Sequence, residues 1–161
     1  MLFDLFKSFS FWTYNSALGL GIRESKWGFA GLEVVHLFGL TILLGSIVML
    51  SLRYLGLTMR THPLRVVARE LAIATTIGLV IVISSGVLMF VSGAVRYYIS
   101  GAFQFKMLCF IVANIVHFSL YRRVTRSNET NEGSRWIRIM GVLGLLLWIS
   151  VGAAGRAIAF L

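Results

Sequence analysis

A chain of 161 residues has room for one domain, and 58% of it is apolar while only 13% is charged, with a mean hydropathy of +0.85. These values exclude an ordinary soluble domain and point to membrane spans. The formal charge of +9 does not mark a nucleic-acid binder, because most basic residues sit between apolar blocks, where they would meet lipid headgroups.

The opening MLFDLFKSFS lacks a basic leading region and a small-residue cleavage site, so no cleavable signal peptide is expected. Leu2, Leu5, Phe6, Phe9 and Trp12 recur at helical spacing, with Asp4, Lys7 and Ser8 between them. This predicts a short amphipathic helix lying in the membrane interface. The alternative is a segment that joins the bundle or docks a partner.

Four apolar blocks follow. The first covers residues 28–52 and carries Glu33 and His36. The second, 71–95, has no ionisable residue. The third, about 105–121, contains Lys106 and His117. The fourth, 139–161, holds only Arg156. Each is close to the ~20 residues that cross a hydrocarbon core of ~30 Å as a helix. A helix is required because lipid offers the backbone no hydrogen-bond partners. The expected fold is therefore all-α: one four-transmembrane-helix bundle over residues 1–161, preceded by the interfacial helix.

Small residues mark packing faces. Gly78, Ser85 and Ser92 repeat every seven residues in the second span, as do Gly86 and Gly93, and the fourth has Gly141, Gly144, Gly152 and Gly155. The connectors are basic. Residues 53–70 carry Arg53, Arg60, Arg65 and Arg69, and residues 122–138 carry Arg122, Arg123, Arg126, Arg135 and Arg138. Nine of the fifteen Lys and Arg residues thus lie on one side, so the positive-inside rule puts both connectors in the cytoplasm and both termini outside.

The chemistry rests on few residues. A charge in the bilayer costs at least ~2.5–3.5 kcal/mol at a helix centre. Glu33 and Arg156 both lie about five residues from the outer end of their spans, so an ion pair between the first and fourth spans is expected. It would neutralise two charges, or serve an anionic group such as a haem propionate or a quinone headgroup. Lys106 would meet a headgroup or a propionate, or simply snorkel to the interface.

His36 and His117 form the more informative pair. Counted from the expected span ends they lie ~13 Å and ~16 Å deep at 1.5 Å per residue. Two imidazoles at one depth on neighbouring helices can hold haem b iron from both faces, and Gly39, one turn from His36, would leave room for the macrocycle. The alternative is that each histidine bonds across helices. The E-x-x-H spacing of Glu33 and His36 lacks the second motif that a di-iron bundle needs. Copper has no soft-ligand cluster, since the methionines are scattered and Cys109 is the lone cysteine. His62, in a basic loop before Pro63, is expected to be solvated.

The segment IRESKWGFAGLEVVHLFGLTILLGSIVMLSLRYLGL, then SSGVLMF, FQFKMLCFIVAN and the closing GRAIAF, resembles a family of short bacterial membrane proteins classed as a domain of unknown function. The likeness covers nearly the whole chain. Its most specific parts are RES from Arg23, Glu33 with His36, R-x-L-G from Arg53, and G-R-x-I-A-F around Arg156. It implies a bacterial inner-membrane location and no particular activity. A looser likeness, of architecture alone, is to b-type cytochrome and copper-resistance membrane families.

The leading expectation is a haem-b electron-transfer subunit that works with a dehydrogenase or a c-type cytochrome and has no catalytic constellation of its own. The runner-up is a non-redox anchor of a larger complex. The third is a transporter for a metal ion or small solute, against which the weakly polar second span argues. Oligomeric state is left open.

Overall fold

The computed structural model describes residues 2–126 and 134–158, and within them it is helical almost throughout. Six helices run in chain order: α1 (Leu2–Tyr14), α2 (Ala17–Glu24), α3 (Gly28–Tyr54), α4 (Leu64–Ile99), α5 (Gly101–Arg126) and α6 (Arg135–Ile158). Of these, α3, α4, α5 and α6 are long and apolar enough to cross a membrane. They correspond to the four expected spans. The side chains of Leu2 and Leu5, the middle of the second basic connector (127–133) and the expected end of the fourth span (159–161) lie outside the described residues.

The bundle turns large apolar side chains outward. Val34 and Phe38 on α3, Ile73 and Val80 on α4, Leu108 and Ile115 on α5, and Leu146 and Ile149 on α6 are all exposed. A soluble protein does not present so much contiguous apolar surface, so these residues face lipid. Inside, close helix approach replaces the burial of large groups. The antiparallel register of α3 and α4 can be read from four successive contacts. His36 Nδ1 lies 2.9 Å from Ser85 Oγ, and Ser46 Oγ lies 2.9 Å from Thr75 Oγ1. Between them, Gly39 sits against Ile81 and Gly78 against the backbone of Leu43. The heptad of Gly78, Ser85 and Ser92 is therefore the buried face of α4.

Helices α5 and α6 form the second hairpin, with Gly144 against Val116 and Gly155 against Lys106. Two clusters tie the hairpins together. One joins Leu50, Tyr54, Leu64, Ala68, Leu120, Val124 and Ile137, and the other joins Leu43, Ile47, Val82, Ala113 and Trp148. Gly141 is the crossing point of α6 and α3, because a Cβ there would stand 2.9 Å from Tyr54 Cβ.

Three features differ from the sequence reading. First, α4 begins at Leu64, about two turns before the expected 71, and carries Arg65, Arg69 and Glu70. Pro63 stands at its N-cap and starts it, proline having no N–H to leave unpaired. Up to Gly93, whose non-helical backbone kinks the helix, α4 rises ~44 Å, longer than the hydrocarbon core, so its charged first turns project into the headgroups. Second, Arg53 is not a solvated connector residue. It is buried, and its Nη2 donates to the His62 carbonyl at 2.8 Å, which pins the α3–α4 loop to the end of α3. His62 itself is exposed, as expected.

Third, the expected short N-terminal helix is present as α1, but a second short helix, α2, follows it and α1 packs along α4. The inward face of α1 is its small polar one. Ser10 and Thr13 are buried and bond the carbonyls one turn back, at Phe6 and Phe9, while Trp12 is turned out. Arg23 of α2 fastens this layer: its guanidinium lies 3.7 Å from the Tyr14 ring centroid and donates to the Ser92 carbonyl at 3.1 Å.

Candidate functional site

Beyond the cluster around Trp148, towards the end where the chain begins, α5 stands away from α3 and leaves a cavity of about 430 Å³. Helix α1 closes one side with Phe6 and Phe9. Helix α4 supplies Val82, Gly86 and Phe90, and α5 supplies Phe103, Met107 and Phe110. Phe90, Tyr97 and Phe103 stack on one another at 5.4 to 6.4 Å beside the cavity. Among the described residues that line this apolar chamber, two are polar: His36 from α3 and Lys106 from α5.

His36 Nδ1 lies 2.9 Å from Ser85 Oγ, and which of the two donates depends on the imidazole tautomer. With the one Ser85 hydroxyl proton on the carbonyl of Ile81 one turn back, the donor is Nδ1–H. A neutral imidazole protonated at Nδ1 carries its lone pair on Nε2. Gly86 matters beside it, because a Cβ there would come to 3.3 Å from His36 Cε1. Serine and glycine at consecutive positions of α4 thus fix the ring and leave it room. A histidine whose outer nitrogen is held by a hydrogen bond is oriented to ligate or accept through the other.

Lys106 is half-buried. Its stem lies along Gly155 of α6, with Nζ 3.5 Å from where a Cβ would stand. It makes no hydrogen bond or ion pair among the described residues. Its stem therefore follows the neighbouring helix rather than reaching freely to the interface.

The other expected site residues do not join this pair. His36 is eight residues into α3 and His117 sixteen into α5, helices that run in the same direction. That is ~12 Å against ~24 Å of rise. The packing agrees: Ala113 belongs with Leu43 and Ile47, and Leu120 with Leu50 and Tyr54, so His117 lies two to three turns deeper than His36. The matched depth came from starting the third span at Lys106, whereas α5 begins at Gly101. His117 is half-buried, with its ring edge-on to Phe118 at 5.6 Å. It is not among the residues lining the His36 cavity.

Glu33 is exposed, three residues before His36, and makes no ion pair with a described residue. Arg156 is exposed on α6. The contact between α3 and α6 that Tyr54 and Gly141 make is at the opposite end of both helices, so the expected Glu33–Arg156 pair does not form. Gly39 leaves no space for a flat ligand, because Ile81 Cγ2 stands 2.6 Å from its Cβ position. Among the described residues no three potential ligands cluster for a metal ion, and Cys109 is buried in the bundle. Ser85 and Gly86, which set the imidazole, are legible in the sequence as small packing residues but not as parts of a site.

Fold and cavity together define a multi-pass helical membrane protein with a lipid-side chamber bearing one imidazole and one ammonium. The chain belongs to the family of unknown function DUF6644, whose model matches residues 8–161. No curated protein and no solved structure matches it.

Proposed function

We propose that the chain is a membrane electron-transfer subunit that holds haem b in the outer cavity, with His36 as an axial ligand. The observation that supports this is the fixed imidazole, with its Nε2 lone pair available beside an apolar chamber of about 430 Å³. The lining fits such a group. Aromatic and aliphatic walls suit a macrocycle, the Lys106 ammonium suits a carboxylate, and among the described lining residues Met107 is the other side chain with a lone pair to offer. Bound there, haem would supply one-electron chemistry. The protein's part is to orient His36 through Ser85 and to keep water from the ring with Phe90, Phe103 and Phe110.

Visible spectra test the reading. The protein purified from haem-replete cells should show a reducible b-type spectrum. His36→Ala should abolish it, while His117→Ala, two to three turns deeper, should leave it. Loss of the spectrum in both variants would restore a two-histidine arrangement, and a colourless wild type would end the haem reading in favour of a non-redox anchor.

The same reading puts the protein in the bacterial inner membrane with both termini outside, partnered by a dehydrogenase or a c-type cytochrome. The support is charge: Arg60, Arg65, Arg69, Arg122, Arg123, Arg126, Arg135 and Arg138 are all exposed at one end of the bundle. Cysteine labelling of intact cells checks it, aided by the burial of the native Cys109. A membrane-impermeant maleimide should modify Ser25→Cys and spare Thr61→Cys; the opposite pattern inverts the topology.

A further inference from the structure

We propose that Lys106 is a binding site for the carboxylate of a lipophilic acid whose apolar body fills the outer cavity. Such a carboxylate has two sources, a haem propionate or a membrane fatty acid. The first rests on the function proposed above; the second does not.

Among the described residues the Lys106 ammonium has no counter-charge. Lys106 lies five residues inside α5, half-buried, and among the described residues it has no acidic neighbour within ion-pair distance. A lysine near a span end ordinarily relieves its cost by extending to the headgroups. Here the stem lies along the backbone of Gly155, which keeps the head between α5, α6 and the cavity. A Cβ at 155 would be in van der Waals contact with the lysine's last three atoms, 3.5 to 3.9 Å away, so the stem follows the α6 surface closely. A cation held in an apolar setting calls for an anion with hydrogen-bond acceptors. The described residues offer none there, so the anion comes with whatever enters the chamber.

The chamber defines that ligand. Phe6, Phe9, Phe90, Phe103 and Phe110 accept an alkyl chain or a flat ring but no second polar group. The remaining polar atom, His36 Nε2, is an acceptor and repels a carboxylate, so the acid group must pair with Lys106. A single negative charge on a hydrophobic body is the chemistry that matches one ammonium in an apolar pocket.

The test compares acids with their esters on the purified, detergent-solubilised protein. Oleate should displace a fluorescent fatty-acid probe at least about tenfold better than methyl oleate, as expected for a charge-assisted hydrogen bond. Lys106→Met should reduce that preference to about twofold or less, and Lys106→Arg should keep most of it. In the haem arm, wild type should bind haemin more tightly than its dimethyl ester, and Lys106→Met should bind both alike.

A preference confined to oleate, with no haem spectrum, upholds this site and removes the haem function. A preference confined to haemin upholds it as a propionate site. Equal binding of acid and ester by the wild type in both arms overturns the proposal, whatever the folding of the variants. So does a preference that survives in Lys106→Met, or displacement by phosphatidylglycerol as effective as by oleate.

Discussion

Gly78→Val is expected to be among the most damaging single changes in the bundle. A Cβ at position 78 would stand 2.7 Å from the backbone nitrogen of Leu43 and 2.9 Å from its Cα. Side chains can rotate away from such a clash, but helix backbone cannot. The two helices would have to separate, and the contacts flanking Gly78 would stretch with them. Those are the Ser46–Thr75 hydrogen bond on one side and the Gly39–Ile81 contact on the other. Overpacking costs of ~1–3 kcal/mol arise where side chains can adjust, and this position lies at or above the top of that range. Thermal unfolding in detergent, followed by circular dichroism, should show a lower midpoint or failure to accumulate. Wild-type stability in Gly78→Val would refute the close α3–α4 approach. Gly152→Val is the control, since a Cβ there meets nothing within 4 Å.

The second large effect is expected at Trp148. Its side chain is 2% exposed and joins Leu43, Ile47, Val82 and Ala113, with Phe110 edge-on at 5.8 Å. It is where α6 reaches the α3–α4 hairpin, directly beneath the cavity wall. Trp148→Ala removes this anchor, and a loss of ~3–5 kcal/mol is expected on the scale of buried aromatic truncations. Trp148→Phe should cost far less than its volume change suggests. The indole Nε1 is buried with no hydrogen-bond partner, so the phenyl ring sheds an unmet donor while keeping most of the packing. Equal losses in the two variants, measured by the same melt, would mean that the indole N–H is bonded after all.

Much of the fold was legible because membrane spans announce themselves by length and apolarity. The same economy made the packing faces readable: a bundle in lipid has little besides small residues with which to bring helices together. Gly78, Ser85 and Ser92 therefore mark the interior of α4 from sequence alone. What escaped was local. Helix α2, ALGLGIRE, carries two glycines and no long apolar period; its signal is Ser16, whose Oγ accepts from the Gly19 N–H as an N-cap. The early start of α4 was hidden by arginines that read as loop, although Pro63 before a run of good helix formers marks the boundary.

The site was half legible for a related reason. Ionisable residues inside spans stand out, so His36 and Lys106 were found. Their partners were not, because depth counted from span ends carries an error of several residues and says nothing about which face a side chain takes. One displaced helix start was enough to set His117 level with His36. Glu33 and Arg156 do lie near the same end of the bundle, but equal height without facing sides does not make an ion pair. The residues that tune the imidazole, Ser85 and Gly86, have no charge to betray them.

One linkage in the chain constrains how the chamber can breathe. Helices α4 and α5 are joined by Ser100 alone, which caps α4 through the Tyr97 carbonyl at 3.1 Å and α5 through the Phe103 N–H at 3.3 Å. Two walls of the chamber are thus hinged tightly at its rim, and the stacked rings of Phe90, Tyr97 and Phe103 brace that corner. Splaying these walls would break the cap and the stack together. A further wall, α1, runs into α2 at residues 15–16 and places Phe6 and Phe9 on the chamber. Movement of that helix would leave both the Ser100 cap and the ring stack intact.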